Sequence, residues 1–197
     1  RIFDYWAEDH ADDEPLDLRH YERAGGLNEA LSRHSDEVYD ELPTDRLRTV
    51  AEKLFKALTE RGPDNRGIRR PTRMDKLGAI IDAHPEEVVA VVEAFRRSGR
   101  TFLMPMAEVE LEPHTVIDIS HESLMRVWKR LDRWVEQESQ SARIYRRLAD
   151  TAALHAEGKA GSYHDPDLQI ALSWRETEHP TEAWAGRYHS GFEQAMA

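Results

Sequence analysis

Between Ile119 and Glu122 the chain changes its hydrophobic period, and that change limits how residues 115–138 (TVIDISHESLMRVWKRLDRWVEQE) can fold. Val116-Ile117-Asp118-Ile119 alternates and is β-branched, as a half-buried strand requires. After Ser120-His121-Glu122 the apolar residues Leu124, Val127, Trp128, Leu131, Trp134 and Val135 recur at helical spacing. The pattern therefore predicts a strand, a polar step and an amphipathic helix that begins at once. It places the imidazole of His121 where the first free amides of that helix point outward, a position suited to an anion such as phosphate.

The residues upstream predict a small domain ending at this junction. Thr44 or Asp45 caps a helix carrying Leu47, Val50, Ala51, Leu54, Phe55 and Leu58, and Gly62-Pro63-Asp64-Asn65 stops it. Ile68 lies in a short extended segment, and Pro71-Thr72 opens a second helix with Met74, Leu77, Ile80 and Ile81 on its apolar side. Pro85 starts a third, with Glu86 and Glu87 near its positive end and Gly99 as its C-cap. Thr101–Met106 and Val116–Ile119 read as two strands joined by an acidic hairpin, Glu108–His114. Helix, strand, helix, helix, strand, strand is the order of a winged-helix domain. The fold class is thus mainly α: a winged helix of three helices and a small β-sheet, flanked by helical segments.

Ahead of that domain, Ile2–Trp6 reads as a helix end, Asp9–Pro15 as an acidic loop and Leu16–Tyr21 as a short helix. Ala24-Gly25-Gly26 makes a break, and Leu27, Ala30, Leu31, His34, Val38 and Tyr39 mark one face of the next helix. Behind the junction, residues 122–156 contain no Gly or Pro. They predict one helix of about 35 residues, roughly 50 Å long, or a pair divided near Gln137–Ser141. Gly158–Pro166 is a polar break; Leu168, Ile170, Ala171, Leu172 and Trp174 form a short helix ended by His179-Pro180, and Tyr188, Phe192 and Met196 suggest a last one. The expected divisions are 1–43, 44–121, 122–157 and 158–197. The chain opens at Arg1 inside a helical pattern without an initiator Met, and is expected to be part of a longer one.

Charge narrows the function. The formal net charge is -11, and residues 1–43 carry 4 Lys/Arg against 13 Asp/Glu. Binding along a phosphate backbone needs a basic face, which this distribution does not offer. The third helix of a DNA-reading winged helix presents Arg, Lys, Asn or Gln to bases. Here it presents Glu86, Glu87, Glu93 and valines, with Arg96 and Arg97 only at its end, so DNA is not the expected partner. The cluster Arg66, Arg69, Arg70, Arg73, Lys76 could meet phosphates, but pairing with residues 1–43 or with the glutamates of the wing is the favoured reading. Cys is absent, which excludes disulfides and thiolate metal sites and fits an intracellular setting. No apolar run reaches the roughly 20 residues of a membrane span.

No HExxH, GxSxG or GxxxxGK[ST] motif occurs, so neither a metal centre nor a catalytic residue is expected. Ser120, His121 and Glu122 are sequence neighbours, whereas a catalytic triad converges from separate elements. On chemistry alone His121 reads as a capping or core histidine.

Four stretches alter that reading. They are Tyr21-Glu22-Arg23-Ala24-Gly25-Gly26-Leu27-Asn28-Glu29-Ala30-Leu31, Glu37-Val38-Tyr39, His121-Glu122-Ser123-Leu124 with Trp128 and Trp134, and Tyr145-Arg146-Arg147-Leu148. In this order they resemble the STAND signalling ATPases, specifically the bacterial group called novel STAND NTPases. Ala171-Leu172-Ser173-Trp174 with His179-Pro180 is similar to that group's closing segment. The resemblance implies that 1–43 ends a helical (ARC-like) subdomain, 44–121 is a regulatory winged helix, and 122–157 connects toward a repeat sensor of WD or TPR type. It implies an upstream P-loop ATPase domain that binds ADP or ATP with Mg, a cytoplasmic setting and a homo-oligomer on activation. Relatives place a His of a Met-His-Asp motif against the β-phosphate of ADP; Ser120-His121-Glu122 matches it by position, with Ser for Met and Glu for Asp. Lys129 stands where many relatives have Pro after the Trp, and its loss favours an unbroken helix. Two other readings remain at this point: a winged-helix transcription regulator with a helical dimerisation domain, and a structural adaptor.

Overall fold

The computed structural model describes residues 26–62, Asp64 and residues 66–197. The readings for Ile2–Trp6, Asp9–Pro15 and Leu16–Tyr21 lie outside the described residues. Helix α1 (Gly26–Asp40) is followed by α2 (Asp45–Ala57), a hairpin of β1 (Thr59–Arg61) and β2 (Gly67–Arg69), then β3 (Thr72–Arg73), α3 (Met74–Ile81) and α4 (Pro85–Arg96). Strands β4 (Leu103–Met104) and β5 (Val116–Ile119) precede α5 (Leu124–Val127) and α6 (Lys129–Ala156), and α7 (Asp167–Glu178), α8 (Glu182–Ala185) and α9 (Phe192–Met196) complete the order.

Local chemistry sets the main helix starts. The Thr44 hydroxyl accepts the Leu47 N–H at 3.2 Å, capping α2. Pro85 occupies the first turn of α4, and Glu87 accepts the His84 N–H at 2.9 Å. Asp82, at φ 54, ends α3 in the left-handed region.

The sheet runs β3-β5-β4, all antiparallel, with Thr72 opposite Ile117 and Leu103 opposite Ile119. Ile117 and Ile119 are buried beneath it while Val116 is exposed, the alternation expected of a one-sided sheet. Two strand assignments differ from the sequence reading. Thr72–Arg73 is a strand, and the helix starts only at Met74. Ile68 is extended as expected, but β2 pairs with β1 in a separate hairpin and not with the β5 sheet. Thr59–Arg61 carried no strand pattern, because three residues are too few to show a period.

Phe55 of α2 centres the main core. Its ring meets Phe95 at 4.9 Å and Trp128 at 5.0 Å, both edge to face, a favoured aromatic geometry. Helix α1 lays Leu31, Val38 and Tyr39 on this core, together with two buried serines, Ser32 and Ser35. A smaller core forms around Tyr145, Ala149, Trp174, Ala185 and Ala195. Trp184 packs against both cores and joins the C-terminal segment to the rest.

Residues 122–157 form a one-turn helix and a 28-residue helix, about 42 Å long at 1.5 Å per residue. The break falls at Trp128 (φ -79, ψ 100), not at Gln137–Ser141, and it persists although Lys129 is not Pro. The reason is position. Lys129 is the first residue of α6, where Pro is tolerated, so a Pro there would not have caused the break and its absence does not heal it. The C-terminal segment holds α8 in addition to α9, and Tyr188 lies in the turn between them.

Candidate functional site

Strand β5 carries the chain to His121 on a fixed path. The Ser120 N–H donates to Phe102 O at 3.0 Å, extending the strand pairing by one bond. Leu124 N–H then donates to His121 O at 3.0 Å and Met125 N–H to Glu122 O at 3.2 Å, so residues 121–123 make a tight turn before α5. The expected helix does not begin at once, and α5 is only four residues long. A single turn sums few peptide dipoles, so the anion-attracting field anticipated at His121 is weak. What the turn provides is access: His121 and Glu122 are exposed, and the His121 ring makes no hydrogen bond or ion pair with the described residues.

Beyond the turn the chain is pinned. Trp128, Leu124 and Met125 are buried, and Trp128 is fully enclosed by Phe55, Phe95 and Trp134. One cation stands close by along the strand. Arg69 of β2 donates from Nη1 to Asp118 Oδ2 at 2.7 Å and to Ile119 O at 3.1 Å, two residues before His121. Arg126, Lys129 and Arg133 are exposed and have no ion pair with the described residues.

Within the described residues, the four arginines of the cluster read from the sequence are each paired, and none of them with residues 26–43. Arg66 meets Asp64, Arg69 meets Asp118, Arg70 lies 3.6 Å from Glu60, and Arg73 meets Asp75. Within the described residues, none of these four reaches a glutamate between β4 and β5. Chain proximity sets three of these pairs, whose partners sit on the same hairpin or two residues away, whereas the fold brings Asp118 of β5 to Arg69.

Helix α4 exposes Glu86, Val89 and Ala90, and its C-cap residue Arg97 is exposed as well. Arg96 is withdrawn: at 2% exposure it donates to Met106 O at 2.8 Å and Val109 O at 2.7 Å and pairs with Glu93. It fastens the segment between β4 and β5. Among the described residues no group of three or more His, Asp or Glu could hold a metal ion, and no helix is long and apolar enough to cross a membrane.

Three residues that hold this junction escaped the sequence reading. They are Ser32 and Asp36 of α1 and Arg130 of α6, polar side chains with no motif to mark them.

The family model described as Novel STAND NTPase 1 matches residues 2–162. The chain belongs to that family, within the STAND class of NTPases. The matched region includes the His121 turn, α5 and α6, and it ends before α7, so the stretch compared above to a closing segment lies outside it. Neither a curated protein nor a solved structure gives a significant match.

Proposed function

We propose that this chain is the regulatory part of a STAND signal-transduction ATPase, and that His121 senses the β-phosphate of bound ADP. The supporting observation is the exposed His121 ring, without a partner among the described residues, on a turn fixed by β5 on one side and by buried Trp128 on the other. An imidazole N–H is a phosphate donor, and a pre-positioned one loses little entropy on binding.

In this reading residues 1–43 end a helical subdomain, 44–121 form a winged helix, 122–157 connect, and 158–197 lead toward a repeat sensor of WD or TPR type. The sheet order β3-β5-β4 and the preceding helices α2, α3 and α4 support the winged-helix assignment. The nucleotide and its Mg would be held by an upstream P-loop domain, since no GxxxxGK[ST] sequence occurs here and the described residues offer no metal ligands as a group. His121 fits the outer contact to such a nucleotide; phosphoryl-transfer chemistry belongs to the P-loop side. Exchange of ADP for ATP shifts the equilibrium between a closed arrangement, in which His121 meets the phosphate, and an open one that favours self-association. The setting is cytoplasmic.

The test is ADP affinity of the intact protein carrying His121→Ala. Loss of one hydrogen bond to a charged phosphate corresponds to a drop of about tenfold. Unchanged affinity together with unchanged basal activity would remove the sensor role. The competing DNA-binding reading predicts salt-dependent retention on duplex DNA; the acidic, apolar face of α4 opposes it.

A further inference from the structure

Helix α1 touches the His121 turn at both of its ends. On the strand side, His34 Nε2 lies 3.1 Å from Gly99 O, and the His34 ring packs 5.3 Å from that of Phe102. Phe102 is the residue whose carbonyl takes the Ser120 N–H. On the helix side, Asp36 Oδ1 accepts from Trp128 Nε1 at 2.9 Å and from Arg130 Nε at 2.6 Å. The Lys129 N–H turns toward Ser32 Oγ at 3.4 Å, and the Arg130 guanidinium lies 4.2 Å from the centroid of the Tyr39 ring. Between these clamps run only Ser120 to Val127.

Two features make Asp36 the decisive member. It satisfies the indole N–H of a fully buried tryptophan, a donor that is costly to leave without a partner. With the same oxygen it neutralises Arg130, two residues into α6. One carboxylate thereby fixes where α6 starts and, through Trp128 N–H to Leu124 O at 2.9 Å, how α5 closes on the turn.

We infer that Asp36 is a positioning residue for His121, and that α1 transmits its own placement to the histidine through the Asp36–Trp128–Arg130 contact. The role in nucleotide response rests on the sensor reading above, but the mechanical link does not. A shift of α1 relative to the sheet moves both clamps and so moves the His121 ring. Helix α1 is then an input, alongside the nucleotide, to the state of this junction.

The experiment has two arms. In this chain, Asp36→Asn keeps an acceptor oxygen and the volume but loses the charge that holds Arg130. The expected result is a displaced His121 ring resonance in histidine-labelled NMR and about tenfold faster exchange of the Leu124, Met125 and Trp128 amides. Glu29→Gln, which removes only an exposed pair with Arg33 on the same helix, serves as control and leaves both readouts unchanged. If Asp36→Asn leaves the ring resonance and these amides as they were, the positioning role is overturned whatever the nucleotide data say. In the intact protein, Asp36→Asn is expected to weaken ADP binding, and to add nothing once His121→Ala is present. If His121→Ala itself leaves ADP binding unchanged while Asp36→Asn moves the ring, the sensor reading fails and the positioning role stands. If His121→Ala weakens ADP binding and Asp36→Asn does not, the link from α1 to the nucleotide is overturned.

Discussion

Arg187 donates from Nη2 to the carbonyl oxygen of Ala57 at 2.6 Å, so the turn after α8 closes the end of α2 across most of the chain. The same segment holds four further contacts. Thr181 Oγ1 donates to Ala79 O at 3.0 Å, Arg70 Nη2 donates to Arg187 O at 3.1 Å, and Glu138 Oε1 accepts from Trp184 Nε1 at 2.8 Å and from the Tyr188 hydroxyl at 2.5 Å. Burial lowers the pKa of Arg187 and, aided by Glu138, raises that of Tyr188. Arg187 Nη1 is buried without a hydrogen bond, 4.0 Å from Glu138. The C-terminal segment is thus docked through a buried polar network that is incompletely satisfied.

Arg187→Ala is expected to destabilise the chain by about 3 kcal/mol, because Ala57 O and Glu138 lose a buried cationic neighbour. Arg187→Met, which retains side-chain volume, should cost less. Urea unfolding measures both, and hydrogen exchange should show the loosening first in α8 and α9. Equal losses for the two variants would assign the whole effect to charge.

Lys129→Pro should change stability by less than about 1 kcal/mol, since Pro is tolerated at a first helical position and Trp128 before it is already extended. Arg133→Pro, one turn further in, should cost about 3 kcal/mol or more by removing an internal hydrogen bond. Thermal melts compare them. A collapse of the Lys129→Pro protein would show that the Lys129 N–H to Ser32 contact matters more than its 3.4 Å length suggests.

Glu87 carries a pH signature. The Arg46 guanidinium, bonded at 2.7 Å, and then the His84 N–H lower its pKa from 4.5 to about 2. A depressed folded-state pKa gives stability that is complete above the unfolded value and lost as pH falls through the folded one. The difference in stability between wild type and Glu87→Gln should therefore shrink between pH 4.5 and about 2. A difference that stays constant across that window contradicts the Arg46–Glu87 pairing in solution.

Phe55→Ala should cost about 3–5 kcal/mol, whereas Val89→Ala should fall within about 0.5 kcal/mol of wild type. Phe55 is fully buried and meets Phe95, Trp128 and Trp134, while Val89 is 36% exposed on α4. Chemical denaturation gives both values. A large loss at Val89 would mean that the outer face of α4 is covered in solution.

The helices were largely legible because α2, α4 and α6 each sustain an apolar face over three or more turns, and caps such as Thr44 and Pro85 mark their starts. The small strands were less so. Strand β3 has two residues and β1 three, too short for alternation to register, and only pairing with distant partners makes them strands. His121 was found by its place between a period of two and a period near three and a half. Its supports were not found, since a serine and an aspartate on α1 carry no periodic signal of their own.

The sequence by itself determined a mainly helical chain, a strand ending at Ile119, a junction histidine and a helix at Pro85 rich in glutamate and valine. Those properties follow from periodicity, capping and charge, all of which act over a few residues. Tertiary structure alone decided where α6 begins, that Asp118 takes Arg69, and that the turn after α8 locks onto the end of α2. Each depends on groups tens of residues apart being brought together by the fold: Trp128 with Asp36, Arg69 with Asp118, Arg187 with the Ala57 carbonyl. Burial makes an unpartnered polar group costly, and it is folding, not local pattern, that determines which group is near enough to answer it.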